Sequence, residues 1–141
     1  VHESRIPPRV MLVTVAVTLA SCLGFILVIK PIVGLYDSSY AVVAVYAAWL
    51  AVGFSIHGIG DMVNRYLGSH GQGRSIRNSS FACGAVKIIG SVLLVWLWDV
   101  PGAVATVILS SSVYTLTLLM HYGRYVKADA SSPIDKTPLN P

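Results

Sequence analysis

Apolar residues run along this chain in four long blocks, separated by short polar stretches. Val10–Ile29 and Ser38–Ile56 hold no charged residue, Asn78–Trp98 holds one, Lys87, and Val100–Gly123 holds none. Each block approaches the ~20 predominantly apolar residues that a helix needs to cross a bilayer. Hydrocarbon offers no water to backbone N–H and C=O groups, so such segments are helical. The pattern predicts an all-α integral membrane protein, with helices over 10–30, 40–57, 79–98 and 102–123. Around them it predicts an N-terminal segment 1–9, an outer loop 31–39, a basic loop 58–78, an outer turn 99–101 and a disordered tail 124–141.

The first helix begins after Pro7-Pro8, a favourable start, and is expected to stop at Lys30-Pro31 because proline cannot continue the hydrogen-bond ladder. Thr14, Thr18 and Ser21 share one of its faces. In the second helix Ala41, Ala44, Ala48 and Ala51 form a small-residue face suited to close helix packing. In the fourth, Thr106, Ser110, Tyr114, Thr117 and His121 recur every three or four residues. That face either lines a polar cavity or bonds back to its own helix.

A mean hydropathy of +0.70 and 11% charged residues agree with this class. The net charge of +4 belongs to topology rather than to nucleic-acid binding. Arg5 and Arg9 precede the first block, Arg65, Arg74 and Arg77 lie between the second and third, and Arg124, Lys127 and Lys136 follow the fourth. The opposite side has only Lys30, near Asp37, and Asp99. The positive-inside rule therefore puts both termini and 58–78 in the cytoplasm. Tyr36, Tyr40, Trp96 and Trp98 then belt the outer face, and Tyr66, Tyr122 and Tyr125 the inner one.

Three motifs carry little. Leu19-Ala20-Ser21-Cys22 has the form of a lipidation signal, but the apolar run continues past Cys22. Gly68–Ser75 approximates a phosphate-binding loop with Arg74 in place of lysine, yet it follows a membrane helix and not a strand. Asn78-Ser79-Ser80 is a glycosylation sequon on the cytoplasmic side. Cys22 and Cys83 read as packing residues at different depths, and His2, His57, His70 and His121 lack metal-ligand spacing. No metal, cofactor or catalytic residue is expected.

Lys87 is the one charge inside a predicted span, two and a half turns in from Asn78. A mid-membrane charge costs about 2.5–3.5 kcal/mol on insertion scales and marks a function unless the side chain snorkels to the headgroups. Asp61 and a substrate phosphate are its candidate partners. No predicted span holds an acid, which argues against a carboxylate proton relay.

Three stretches carry a resemblance. Ile32–Tyr40 resembles an outer loop, Gly60–Asn78 a recurrent cytoplasmic loop, and Val100–Thr106 a recurrent helix entry, of polysaccharide flippases. These belong to the superfamily of multidrug, oligosaccharidyl-lipid and polysaccharide exporters. The resemblance covers about four-fifths of the chain. It implies a C-terminal fragment of a two-lobed helical transporter in the bacterial inner membrane, partnered by the remaining helices of that transporter. The implied activity is the flipping of a polyprenyl-diphosphate-linked oligosaccharide for cell-surface (O-antigen type) polysaccharide, without enzymatic chemistry. Arginine and lysine suit a diphosphate. The implied contacts are Lys87, Arg65, Arg74 and Arg77, with Thr106, Ser110 and Tyr114 lining the path. A drug or metabolite exporter and a small non-transporting membrane subunit are the competing readings.

Overall fold

The computed structural model describes residues 5–35 and 40–131, and these are helical almost throughout, with no strand among them. Helix α1 covers Pro8–Gly34, α2 Ala41–Ser69 and α3 Gly73–Ser131. All three are long and apolar enough to cross a membrane.

Helix α3 is broken at Asp99, whose φ of 52° and ψ of −125° are not helical. A Cβ built on Gly90 would lie 2.9 Å from the Thr106 side chain. Sixteen residues of straight helix would separate these positions by about 24 Å. The chain therefore reverses at Asp99, and arm 73–98 packs against arm 100–131. Pro101, at the start of the second arm, sits where its missing N–H is harmless.

Helix α1 opens as expected: Pro7 accepts from the N–H groups of Val10 (3.0 Å) and Met11 (3.2 Å). It does not stop at Lys30-Pro31 but runs on through Pro31 to Gly34. Only one turn follows the proline, and apolar Ile32 and Val33 keep that turn in the same environment. None of its residues is fully buried; a stripe of Thr14, Val15, Thr18, Cys22, Ile26, Ile29 and Val33 is half-covered. Leu12, Leu19, Leu23 and Leu27 stay exposed on the other faces. A helix apolar all round suits lipid, not water.

The segment 58–78, expected as a loop, is mostly helix. Helix α2 continues to Ser69, and only residues 70–72 turn before α3 begins at Gly73. The turn is a Schellman cap: Gln72 N–H donates to the Leu67 carbonyl (2.9 Å) and Gly71 N–H to that of Gly68 (3.2 Å). Gly71 takes the left-handed conformation that this cap needs, with φ +72°. Gly58 and Gly60 do not end the helix, because neighbouring helices press on this stretch: Gly53, Gly60, Val63 and Leu67 are buried along one face. The tail expected over 124–141 is likewise helical to Ser131, held by Tyr125, which packs on the core. The expectations for the rest of that tail, for residues 36–39 and for residues 1–4 concern positions outside the described residues.

The core lies at the end of the bundle away from Asp99. Ile6, Val63, Leu67, Tyr114 and Leu118 form it, with Met62, Tyr66, Ile76, Cys83, Leu119 and Tyr122 packed around them. Ile6 N–H donates to the Tyr122 hydroxyl at 3.1 Å, which ties the segment before α1 to the second arm of α3.

Close approach at glycine makes the hairpin in α3 possible. A Cβ on Gly102 would overlap the Leu94 carbonyl. Neither atom is at the flexible end of a side chain, so backbone must shift. Gly102→Ala is expected to destabilise the protein in detergent by roughly 1–3 kcal/mol. Gly24→Ala, where nothing lies within 4 Å, is expected to leave it unchanged or slightly more stable. Thermal unfolding of the two variants followed by circular dichroism checks the contrast.

Candidate functional site

Two polar features stand out from the apolar helices. The first joins α2 to the second arm of α3. Gly60 lets the arm come close, since a Cβ there would lie 2.7 Å from Thr115 Oγ1 and 3.0 Å from the Tyr114 ring. Thr115 donates to the Ile56 carbonyl at 2.7 Å. Tyr114 donates to Asp61 Oδ1 at 3.1 Å. His57, one turn before Asp61, stacks on the Tyr114 ring with centroids 4.4 Å apart and planes 17° from parallel. Its Nε2 lies 4.0 Å from Asp61 Oδ1. Asn64 faces the same tyrosine hydroxyl.

A groove of about 510 Å³ opens beside this cluster, between the start of α1 and the second half of α2. Asp61 and Arg65 supply its charge, Thr14 and Tyr66 its neutral polar groups, and Ile6, Val10 and Met62 its apolar wall. Asp61 thus joins the two features: one oxygen is engaged by Tyr114, and the side chain, about half exposed, also borders the groove. Below it Tyr66, His70, Tyr122 and Tyr125 form an aromatic group, with Tyr66 edge-on to Tyr122 at 5.5 Å.

The expected polar face of residues 106–121 is real but closed. Thr106, Ser110 and Tyr114 are buried. Thr106 donates to the Gly102 carbonyl (2.9 Å), Ser110 to that of Val107 (3.1 Å) and Thr117 to those of Val113 and Tyr114 (2.8 and 2.9 Å). Thr106 also presses on Gly90, so it sits at a helix contact. Of this face, Tyr114 alone among the three candidates reaches another helix by hydrogen bond, and none of the three borders the groove.

The four cations are not brought together. Arg65 borders the groove, whereas Arg74 and Arg77 lie exposed on the first turns of α3. Lys87 is exposed near the middle of arm 73–98, among exposed Ile88, Ile89 and Val92. Because the arm starts at Gly73 and not at Asn78, Lys87 lies about 21 Å from its beginning at ~1.5 Å per residue. Asp61, offered above as its partner, is held by Tyr114 and His57 instead.

The His57–Asp61–Tyr114 cluster was missed because Asp61 was read into a loop. A signal existed: Gly53, Gly60, Val63 and Leu67 keep a helical period straight through that stretch. The pairing itself, across 53 residues, left no trace in local sequence.

No family model, curated protein or solved structure matches this chain.

The two hydroxyls next to each other on the second arm separate interhelical bonds from local ones. Thr115→Val is expected to cost about 0.6–1.7 kcal/mol, because the Ile56 carbonyl loses a donor from another helix. Thr117→Val is expected to fall within about 0.5 kcal/mol of the parent, since its hydroxyl serves only its own helix. Denaturation in mixed micelles measures both.

Proposed function

We propose that the chain is part of a membrane transporter that crosses the bilayer four times, arms 73–98 and 100–131 counting separately. Its termini and the turn at residues 70–72 lie in the cytoplasm of a bacterial cell. The cargo under this reading is a polyprenyl-diphosphate-linked oligosaccharide, carried toward the cell surface for polysaccharide assembly. The observation that carries it is Lys87. A lysine stem reaches only a few ångströms, and about 21 Å separate Lys87 from the start of its arm. Measured from Asn78, where the polar first turns give way to apolar sequence, Lys87 lies about 14 Å along the arm, and an ammonium at such a depth gains from an anionic partner. A diphosphate moving along the exposed side of the arm supplies one, and Arg65 offers a second contact nearer the cytoplasmic end.

A drug or cationic-metabolite exporter is the second reading. It gains from Asp61 and Tyr66 in one groove, an acid beside an aromatic ring. A non-transporting subunit is the third, and would use the same lipid-facing surfaces for a partner complex.

Topology and cargo are tested separately. In a variant lacking Cys22 and Cys83, a cysteine at Tyr40 is expected to react with a membrane-impermeant maleimide added outside intact cells. One at Gln72 is expected to react only after the membrane is opened. The reverse result overturns the orientation.

For cargo, Lys87→Met in the intact transporter is expected to abolish surface polysaccharide at unchanged protein abundance. Lys87→Arg is expected to keep part of it, because the charge stays and its geometry changes. Normal polysaccharide in Lys87→Met removes the lysine from the mechanism. Loss of cationic-dye efflux in Asp61→Asn with intact polysaccharide would favour the exporter reading.

A further inference from the structure

We propose that Asp61, His57 and Tyr114 form a proton-binding site at the contact between α2 and arm 100–131, and that its occupancy sets how firmly the two are held together. The site stands independently of the transport reading.

The geometry supplies each part. Ionised Asp61 accepts the Tyr114 O–H at 3.1 Å, a bond across two helices that are already in van der Waals contact at Gly60. Hydrogen bonds to an ionised acceptor are roughly twice as strong as neutral ones. When a proton binds the second oxygen of Asp61, the carboxylate becomes a neutral acid and the bond from Tyr114 weakens. His57 stands on the same face, its Nε2 4.0 Å from Asp61 and its ring flat on Tyr114. A charge on either residue is felt by the other at this distance. Neither needs a co-reactant: one proton enters and no covalent bond other than N–H or O–H changes.

A proton fits better than a metal ion. Calcium takes about 6–8 oxygen ligands. Three side-chain oxygens converge here, two of Asp61 and one of Tyr114, with Asn64 beside the hydroxyl, while the backbone carbonyls of α2 are engaged within the helix. The surroundings admit a proton without flooding the site. The groove brings one side of Asp61 within reach of water, while α1 contributes Thr14 and no titratable group to it. Helix α2 brings Arg65 and Tyr66 along with His57. Arm 73–98 brings Cys83, with Lys87 beside it, toward the far side of Tyr114. At ~1.5 Å per residue Asp61 lies about 12 Å along α2 from Ser69, held against Tyr114 at a helix contact. There the exchange of a charge for a neutral acid matters more than at a wet surface.

The 141-residue chain in lipid nanodiscs tests this by infrared difference spectroscopy between about pH 8 and about pH 3, a range that spans the charge changes of both histidine and aspartate side chains. The expected result is a carboxylic-acid C=O band that disappears in Asp61→Asn and moves in frequency in Tyr114→Phe, because its hydrogen-bond partner is gone. Imidazolium bands that accompany it are expected to vanish in His57→Gln. If Asp61→Asn does not fold, as judged by circular dichroism, Asp61→Glu is expected to relocate the same band to a glutamic acid frequency. A spectrum with no band that depends on residue 61, or a band unmoved by Tyr114→Phe, overturns the proposal and leaves Asp61 an ordinary solvated carboxylate.

Discussion

The whole arrangement depends on how closely α2 and the second arm of α3 approach. Hydrocarbon provides no hydrophobic drive between helices, since lipid tails are as apolar as leucine. Contact must come from packing and from hydrogen bonds that need short distances. A Cβ on Gly53 would lie 3.3 Å from Ile108 and Val107, and one on Gly60 2.7–3.0 Å from Thr115 and Tyr114. Side chains at either glycine would hold the helices apart and lengthen both the Thr115–Ile56 and the Tyr114–Asp61 bonds. The core of Val63, Leu67 and Leu118 lies one to two turns further along the same contact. Ile6 joins that core and is tethered to Tyr122, so even the segment before α1 takes its position from it.

What could be read from sequence followed from hydrophobicity alone. The apolar blocks located every helix, and the break at Asp99 fell inside the expected turn 99–101. Helix ends were poorly legible. Glycine, asparagine and arginine over 58–69 have the composition of a loop, but helix packing overrides composition where an apolar face persists. Residues 124–131 were misread for the same reason, with Tyr125 supplying the packing. Pro31 stops a helix in water more firmly than it does in the last turn of an apolar one.

The candidate site was legible in part. Spacing alone identified the face of Thr106, Ser110 and Tyr114, but it could not say whether the hydroxyls faced a cavity or their own backbone. Burial decides this for Thr106 and Ser110, which bond to carbonyls three or four residues back. Asp61 is the larger revision. With α2 ending at residue 57 it was a loop acid; with α2 reaching Ser69 it lies inside a helix, bonded to another. Asp61 is thus an acid within a long apolar helix, which the reading of a loop from residue 58 did not foresee.

Charge and polarity are then distributed in a way that constrains any transport mechanism built on this unit. Every buried side-chain nitrogen and oxygen among the described residues has a hydrogen-bond partner. The interior between α2 and the two arms has no spare polar capacity to offer a solute. Uncommitted chemistry sits on the flanks: Arg65 and one oxygen of Asp61 at the groove beside α1, and Lys87 on the exposed side of arm 73–98. These flanks carry different charge patterns, one mixed and one purely cationic. A polar cargo would therefore travel along the outside of this bundle, between it and whatever packs there, and not through its centre. On the transport reading proposed above, the small residues and back-bonded hydroxyls of the interior would hold the bundle together, while Lys87 and the Asp61 cluster would act on separate faces.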